Sequence, residues 1–450
     1  MGQPAHTPVL EFGCFFSGKA PMRTPPPGAC SLVLLTLTLC ALGIDAQGDP
    51  STQPLPIEQI KKTVLYLQGD FPCHEPHIEN GVQTLAPDGT PVFDSVCPQV
   101  GTGFLVNYMM PELGPNRGIP LLVTSKHLIQ HQRLGAPKGT MEYFDSIVVL
   151  ANALKPNPFG SYITAIQVTV KDRGFLFCSI DNDDIDADVA VCPLSISDSE
   201  YDIEGLSPDM AVTRAKIHSL MLNETDEVLF SGLFLPYSGA KRNYPIVRHG
   251  RIALIPEEKI PWSTASGETS MQDLYLAELT SWGGNSGSPV FVRLSGVREQ
   301  GGIMAGVQYH LLGIMQGYFN SDRPATLDTS QVTETAHVEV KLSDNSGIAA
   351  VVPAEKILDV LAQPRVRGWA ALIRGATLEK AGKTADAEAS FKQAIDVLRA
   401  ADPGHPLLKQ AILQYAQFLR ESGRNAEAGF QFRLANAMNA TSRTPDAMLR

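Results

Sequence analysis

The chain of 450 residues has room for up to three domains at roughly 150 residues each, and length enough for at least one well-buried core. Its 44% hydrophobic and 18% charged residues exclude a disordered, collagen-like or coiled-coil chain. With 36 basic against 47 acidic residues, a net charge of −11, it offers no basic field to nucleic acid or to an anionic membrane surface.

Residues 1–46 read as a signal or leader segment. The apolar run 32–42 follows Met22 and Arg23 and ends in Ile44-Asp45-Ala46. A short charged start, a short apolar centre and a small residue at the expected cut are the pattern of a secretory signal. The run is far shorter than the ~20 residues of a membrane span, and no later stretch approaches that length. Met22 is an alternative start, and an uncleaved N-terminal anchor is the competing reading. Export, to the periplasm or beyond the cell, implies an oxidising compartment. Cys14, Cys30 and Cys40 fall inside the leader and leave Cys73, Cys97, Cys178 and Cys192, which allow two disulfides in three pairings. The local pairs, Cys73 with Cys97 and Cys178 with Cys192, are favoured because each closes a short loop. A metal site at Cys73-His74-Glu75-Pro76-His77 lacks a second ligand pair at standard spacing.

From about residue 61 to 352 the chain shows short β-branched and aromatic runs separated by Gly, Pro, Asn and Asp. Examples are Thr63-Val64-Leu65-Tyr66-Leu67, Gly103-Phe104-Leu105-Val106, Ser146-Ile147-Val148-Val149-Leu150 and Ile252-Ala253-Leu254-Ile255. Many short strands with turn punctuation predict an all-β barrel or sandwich, and the length suits two small barrels. After residue 352 the texture becomes Ala, Leu, Glu, Lys and Arg at helical spacing. Within it Gly382-Lys383-Thr384-Ala385-Asp386-Ala387, with Phe391 and Ala394, recurs 41 residues later as Gly423-Arg424-Asn425-Ala426-Glu427-Ala428, with Phe432 and Ala435. A turn followed by Ala and aromatic positions at helical spacing suits paired antiparallel helices. The block resembles tetratricopeptide repeats, although an ordinary helical hairpin tail fits it too. Two copies are fewer than such stacks usually need, so the block is expected to lean on the β region or on another chain.

The sharpest local signal is Gly283-Gly284-Asn285-Ser286-Gly287-Ser288-Pro289-Val290. Small residues around a serine let the backbone turn tightly, leave the hydroxyl uncrowded and aim consecutive amides into one space. Upstream, Val123-Thr124-Ser125-Lys126-His127 puts a histidine where a strand ends, and Ala187-Asp188-Val189-Ala190-Val191 puts an acid at the entry to an apolar strand. A buried carboxylate needs hydrogen-bond partners, and an imidazole N–H is a natural one. The chain order His, Asp, Ser is that of one of the unrelated triad folds.

On these motifs residues 60–365 resemble the trypsin-like, chymotrypsin-fold serine peptidases, and the Gly-Asn-Ser-Gly-Ser-Pro and Ser-Lys-His wording is most similar to secreted bacterial glutamyl endopeptidases and the HtrA-like group. The resemblance implies a multi-domain chain: a leader at 1–46, an all-β double β-barrel peptidase at 47–365, an all-α helical-repeat module at 366–440 and a tail at 441–450. It implies Ser286 as nucleophile, His127 as general base and then acid, and Asp188 as the group fixing the imidazole tautomer. The amides of Gly284 and Ser286 would form the oxyanion hole. Gly313-Ile314-Met315-Gln316-Gly317 matches the strand that pairs with extended substrate, and 347–353 with 354–361 match the closing strand and helix.

Where glutamyl endopeptidases carry a histidine in the substrate strand this chain has Met315, and where trypsins carry an aspartate six residues before the nucleophile it has Thr280. Thr280, Ser281 and Met315 therefore suggest small or apolar side chains beside the scissile bond. The expected activity is that of an exported serine endopeptidase acting through an acyl-enzyme, without metal or cofactor, its substrate a protein or peptide and its repeats a surface for protein contacts. The alternative is an inactive peptidase-fold scaffold that works through the repeats. Two lesser signals compete with plain readings. Asp181-Asn182-Asp183-Asp184-Ile185-Asp186 suggests calcium, but the sixth and twelfth loop positions hold Asp186 and Cys192 rather than Gly and Glu, so a solvated acidic loop is expected. His131, four residues after His127, is read as a surface histidine rather than a metal ligand.

Overall fold

The computed structural model describes residues 57–441, apart from 80–81, 115–117, 138, 171–186, 264–268, 298–302 and 332–333. The short helix α1 (Ile57–Lys62) leads into ten strands: β1 (Val64–Pro76), β2 (Ile78–Glu79), β3 (Val82–Gln83), β4 (Phe93–Met109), β5 (Gly118–Thr124), β6 (Gln130–Gln132), β7 (Met141–Tyr143), β8 (Ser146–Asn152), β9 (Ile163–Thr169) and β10 (Ala190–Pro193). Six of them form one sheet in the order β10-β5-β4-β1-β8-β9. Its inner face is continuous apolar packing of Leu65, Leu105, Leu122, Ile129, Val149 and Cys192, all nearly inaccessible to solvent. Along β8 Ile147, Val149 and Ala151 are buried and their neighbours are not, the period-2 alternation of a strand with one face on the core.

After helix α2 (Arg214–Ser219) come β11 (Glu227–Gly232), β12 (Ile246–Leu254), the hairpin β13 (Ile260–Ser263) and β14 (Thr269–Gln272), then β15 (Tyr275–Glu278), β16 (Pro289–Val297), β17 (Ile303–Gln331) and β18 (Glu334–Pro353). Six of these close into a barrel, β11-β12-β15-β18-β17-β16, filled by Phe230, Ile252, Tyr275, Val290, Val292, Met315 and Val351. The two halves therefore differ. The second is a closed barrel, whereas the first is, among the described residues, an open six-stranded half-barrel whose edge strands β9 and β10 flank 171–186. Beyond the barrel β17 and β18 keep pairing with each other, from Asn320↔Asn345 to Gln331↔Glu334. This long two-stranded ribbon had no counterpart in the sequence reading.

Helix α3 (Glu355–Leu361) follows β18 and is succeeded by α4 (Pro364–Lys380), α5 (Thr384–Ala401), α6 (Pro406–Glu421) and α7 (Asn425–Thr441). The 41-residue recurrence is visible in the backbone. Gly382 and Gly423 both end a helix at positive φ, +74° and +77°. In each case the glycine amide and the next amide bond back to the last turn, Gly382 N to Glu379 O and Lys383 N to Leu378 O, then Gly423 N to Arg420 O and Arg424 N to Leu419 O. Ala387, Ala394, Ala428 and Ala435 are all buried, which lets the paired helices approach closely. Their core continues without a break from Phe391, Ile412 and Phe418 through Val360 and Ile357 to Val352, Ile314, Val123 and Phe104. Helices and β region share one apolar interior, so the helical block is anchored by the sheets. No helix among the described residues is long and apolar enough to cross a membrane.

Of the expected disulfides, Cys73–Cys97 joins β1 to β4, with Cys73 two residues past Phe71, the register partner of Cys97. Cys192 is disulfide-bonded as well, and Cys178, the partner expected for it, lies outside the described residues. The acidic run 181–186 lies there too. His131 is not the surface residue expected: the 3₁₀ turn carrying His127 ends at Ile129, and β6 takes His131 inward, stacked on Phe71 and edge-on to Phe144, 8% exposed.

Candidate active site

Strand β5 delivers the first side chain. It is buried through Thr124, and the chain then turns through a 3₁₀ helix, Lys126–Ile129, whose Leu128 and Ile129 enter the sheet core. Anchoring on that side leaves His127 facing outward, with its side chain 41% exposed. Gln99 on β4 braces the turn, its Nε2 donating to the His127 carbonyl at 2.6 Å.

Asp188 reaches His127 from the start of β10. The β10–β5 register sets Ala190 opposite Thr124, so a residue two positions before β10 falls beside one just after β5. Both carboxylate oxygens are used on this one partner. Oδ1 accepts from the His127 backbone N–H at 2.8 Å, and Oδ2 lies 2.6 Å from His127 Nδ1. Burial opposes charge on the imidazole, but the Asp188 carboxylate and its hydrogen bond outweigh that effect and raise the His127 pKa above its ordinary value. Burial likewise works to raise Asp188, and the charge and hydrogen bonds of His127, aided by Lys126, hold its carboxyl below the usual range.

The third side chain sits on a turn ahead of β16. Gly284 and Gly287 adopt φ of +89° and +83°, so the turn needs glycine on both sides of Asn285-Ser286. At Gly287 space demands it too: a Cβ would lie 1.9 Å from the Thr102 carbonyl oxygen and 2.5 Å from Thr124 Oγ1. Asn285, 2% exposed, braces the turn from within, its Oδ1 accepting from Trp282 N at 2.9 Å and its Nδ2 donating to Leu233 O at 2.6 Å. Among the described residues neither the Gly284 nor the Ser286 amide donates to another protein group. Two N–H donors, on either side of Asn285, are therefore without a protein partner among the described residues.

Strand β17 ties the two sites together. The Met315 carbonyl accepts from Gly287 N at 2.8 Å, one residue after Ser286, and from Ser125 Oγ at 3.2 Å, two residues before His127. Residues far apart in sequence thus meet on one oxygen. The next residue, Gln316, sits at a register shift of β17 against β18, and its carbonyl accepts from Ser286 Oγ at 3.1 Å. Its side chain is 5% exposed and donates through Nε2 to Gln272 Oε1 at 2.9 Å. Trp262 of the β13–β14 hairpin lies over Gly317, where a Cβ would meet the indole at 3.1 Å.

His127 and Asp188 are therefore bonded to each other, while the Ser286 turn is tied to the His127 strand end through Met315; among the described residues the Ser286 hydroxyl bonds to the Gln316 carbonyl and not to His127. Of the residues expected to shape specificity, Ser281 is buried with its carbonyl held by Asn345 Nδ2, Thr280 is exposed, and Met315 lies wholly within the barrel core. The sequence reading missed the supports: Thr102, Ser125 and Asn285. A hydroxyl between two glycines in Gly101-Thr102-Gly103 was the available signal, but it reads equally as a strand. Among the described residues no group of three or more His, Cys, Asp or Glu side chains is placed to hold a metal ion.

No family model matches the chain, and neither does any curated protein. Among solved structures it is similar to the Rv3671c protease from M. tuberculosis in its active form, at 14% identity and a TM-score of 0.32, over 69% of this chain and 86% of that one. The inactive form of the same protease aligns at 12% identity and a TM-score of 0.30, over 69% and 95%.

Proposed function

We propose that the chain is a serine endopeptidase whose acyl-enzyme forms on Ser286. The observation that supports this reading is the shared Met315 carbonyl, which ties the glycine-flanked turn of Ser286 to the strand end that carries His127, itself paired with Asp188. His127 takes the hydroxyl proton as Ser286 Oγ attacks the scissile carbonyl, and returns it to the leaving amine. Asp188 holds Nδ1 protonated, which leaves Nε2 free to accept. The Gly284 and Ser286 amides receive the charge developing on the carbonyl oxygen. Extended substrate would pair with the Gln316–Gly317 edge, its backbone N–H taking the Gln316 carbonyl that Ser286 Oγ occupies at rest and releasing the hydroxyl toward His127. Of the three residues expected to select small or apolar side chains, Thr280 is the exposed one, and it is the one left to meet a substrate, since Ser281 and Met315 are buried.

Several broader features go with this reading. The Cys73–Cys97 disulfide supports an exported, periplasmic or secreted, location. The matched caps at Gly382 and Gly423 support a pair of tetratricopeptide-like repeats that offer a surface to protein partners. A second reading, a scaffold without turnover, is favoured by one observation: the Ser286 hydroxyl donates to the Gln316 carbonyl. A fluorophosphonate probe decides. Labelling of the folded, processed protein that disappears in Ser286→Ala supports the peptidase; a folded wild type that takes no label supports the scaffold.

A further inference from the structure

We infer that Thr102 is a positioning residue for the oxyanion turn, acting from the opposite β half; the inference rests on the peptidase reading of Ser286. Thr102 lies in β4, fully buried, and every polar atom it owns is engaged. Its Oγ1 donates to the Gly284 carbonyl at 2.8 Å and accepts from Leu233 N at 3.0 Å. Its amide donates to the Ser286 carbonyl at 2.9 Å, and its own carbonyl accepts from Thr124 Oγ1 at 2.7 Å.

The arrangement is selective. Four successive peptide groups run from Gly283 to Gly287, and the two N–H donors at Gly284 and Ser286 alternate with the two carbonyls that Thr102 holds. Each held carbonyl belongs to the planar group next after a donor: the Ser286 N–H lies between the two, in a group that Ser288 N also holds through the Asn285 carbonyl at 3.1 Å, and the Gly284 N–H immediately precedes the first. Gly284 needs such a restraint because at φ +89° with no side chain its backbone is little confined by its own sterics. The Ser286 carbonyl is held through the Thr102 backbone, which any residue supplies, but the Gly284 carbonyl is held by the hydroxyl, which only Thr or Ser supplies at this length. Thr102 touches none of the reacting atoms; it sets the direction of donors whose value depends on being aimed before the reaction begins.

The test compares Thr102→Val, Thr102→Ser and wild type in the full processed chain, using a small-residue peptide p-nitroanilide, active-site titration with a fluorophosphonate, and a peptide boronic acid. Loss of one oxyanion donor costs about 10²–10³-fold in kcat, and misdirecting one is expected to approach the lower figure. Thr102→Val should lose about 10²-fold in kcat per titrated site with KM within about twofold. Its boronic acid affinity should fall in step with kcat, while affinity for the unreactive product peptide stays at the wild-type value. Thr102→Ser should restore all three. If Thr102→Val does not fold, Thr102→Ala, which leaves room for water, is judged by the same three readouts. Wild-type kcat per titrated site in a folded Thr102→Val or Thr102→Ala overturns the inference. So does a loss confined to the titratable fraction, because that marks a merely structural role. A wild type that neither labels nor cleaves defeats the peptidase reading itself and is distinguishable from either.

Discussion

Asp188→Asn separates the carboxylate's charge from its shape. In the native arrangement Oδ1 accepts the His127 backbone N–H at 2.8 Å and Oδ2 faces Nδ1 at 2.6 Å. Asparagine fits the same space but cannot accept on both sides. Its amide nitrogen cannot face a backbone N–H, so the oxygen stays there and the NH₂ turns to Nδ1. Nδ1 must then accept, the ring proton moves to Nε2, and the base toward Ser286 is lost. The expected fall in kcat is about 10⁴-fold, equivalent to ~5.5 kcal/mol of barrier, with substrate affinity little changed. The pH dependence should change as well. Activity requires neutral His127, so in wild type it rises with pH through a value above the ordinary imidazole pKa. In Asp188→Asn the raising influence is gone and burial remains, so the limb of any residual activity moves to lower pH. The sign for stability follows from the same shifts. Raised His127 stabilises the fold below its ordinary pKa and loses that contribution as pH rises through the raised value. Lowered Asp188 stabilises above its ordinary pKa and loses it as pH falls. The pair therefore contributes most between roughly pH 4 and 6.5, and this maximum should vanish from a Tm–pH series of the variant. Steady-state kinetics from pH 5 to 9 and calorimetry check both. Turnover within tenfold of wild type, or an acid limb that does not move, would refute the assignment.

Three further outcomes follow from the packing. Gly287→Ala places a Cβ 1.9 Å from a carbonyl oxygen at φ +83°, so the turn must move; activity should be lost and thermal unfolding should show a cost of at least ~2 kcal/mol. Removing the Cys73–Cys97 bond, with 24 residues of separation, by the double serine variant should destabilise the chain by about 3.5 kcal/mol on the loop-entropy estimate, read from denaturant midpoints against the oxidised protein. Gly382→Ala and Gly423→Ala meet nothing within 4 Å, so each should cost only the left-handed backbone penalty of about 1–2 kcal/mol, and near-equal Tm shifts in the full chain would mark the two turns as equivalent.

Much of the fold was legible because its signals are local. The β-branched run of β8, the helical spacing after Val352 and the matched glycine turns at Gly382 and Gly423 all depend on residues a few positions apart. Closure was not legible. Whether six strands form a barrel or an open half-barrel depends on which edges meet, and strand texture is the same in both. The β17–β18 ribbon was missed for a related reason: Asn320-Ser321-Asp322-Arg323-Pro324 has the composition of a loop, and what makes it a strand is the register with Lys341 to Asn345. His131 was misplaced because its partners, Phe71 and Phe144, lie 60 positions back and 13 ahead.

The candidate site divides along the same line. His127, Asp188 and Ser286 could be named because reactive residue types stand out against their neighbours. What holds them together could not, since it consists of single hydrogen bonds between sequence-distant residues. Ser125 reaches Met315 across 190 positions and Thr102 reaches Gly284 across 182, and neither end of either bond carries a local mark. The bonds also show how the candidate site draws on both β halves. The imidazole and carboxylate belong to the first sheet, through β5 and β10, while the hydroxyl and its amides belong to the second barrel, through β16. Neither half holds a complete set, so the relative placement of the halves is itself a chemical parameter. Thr102 and Ser125 project from the first half onto backbone of the second, and the buried hydroxyls that cross the divide fix that placement while keeping the outward faces of His127 and Ser286 open to a substrate.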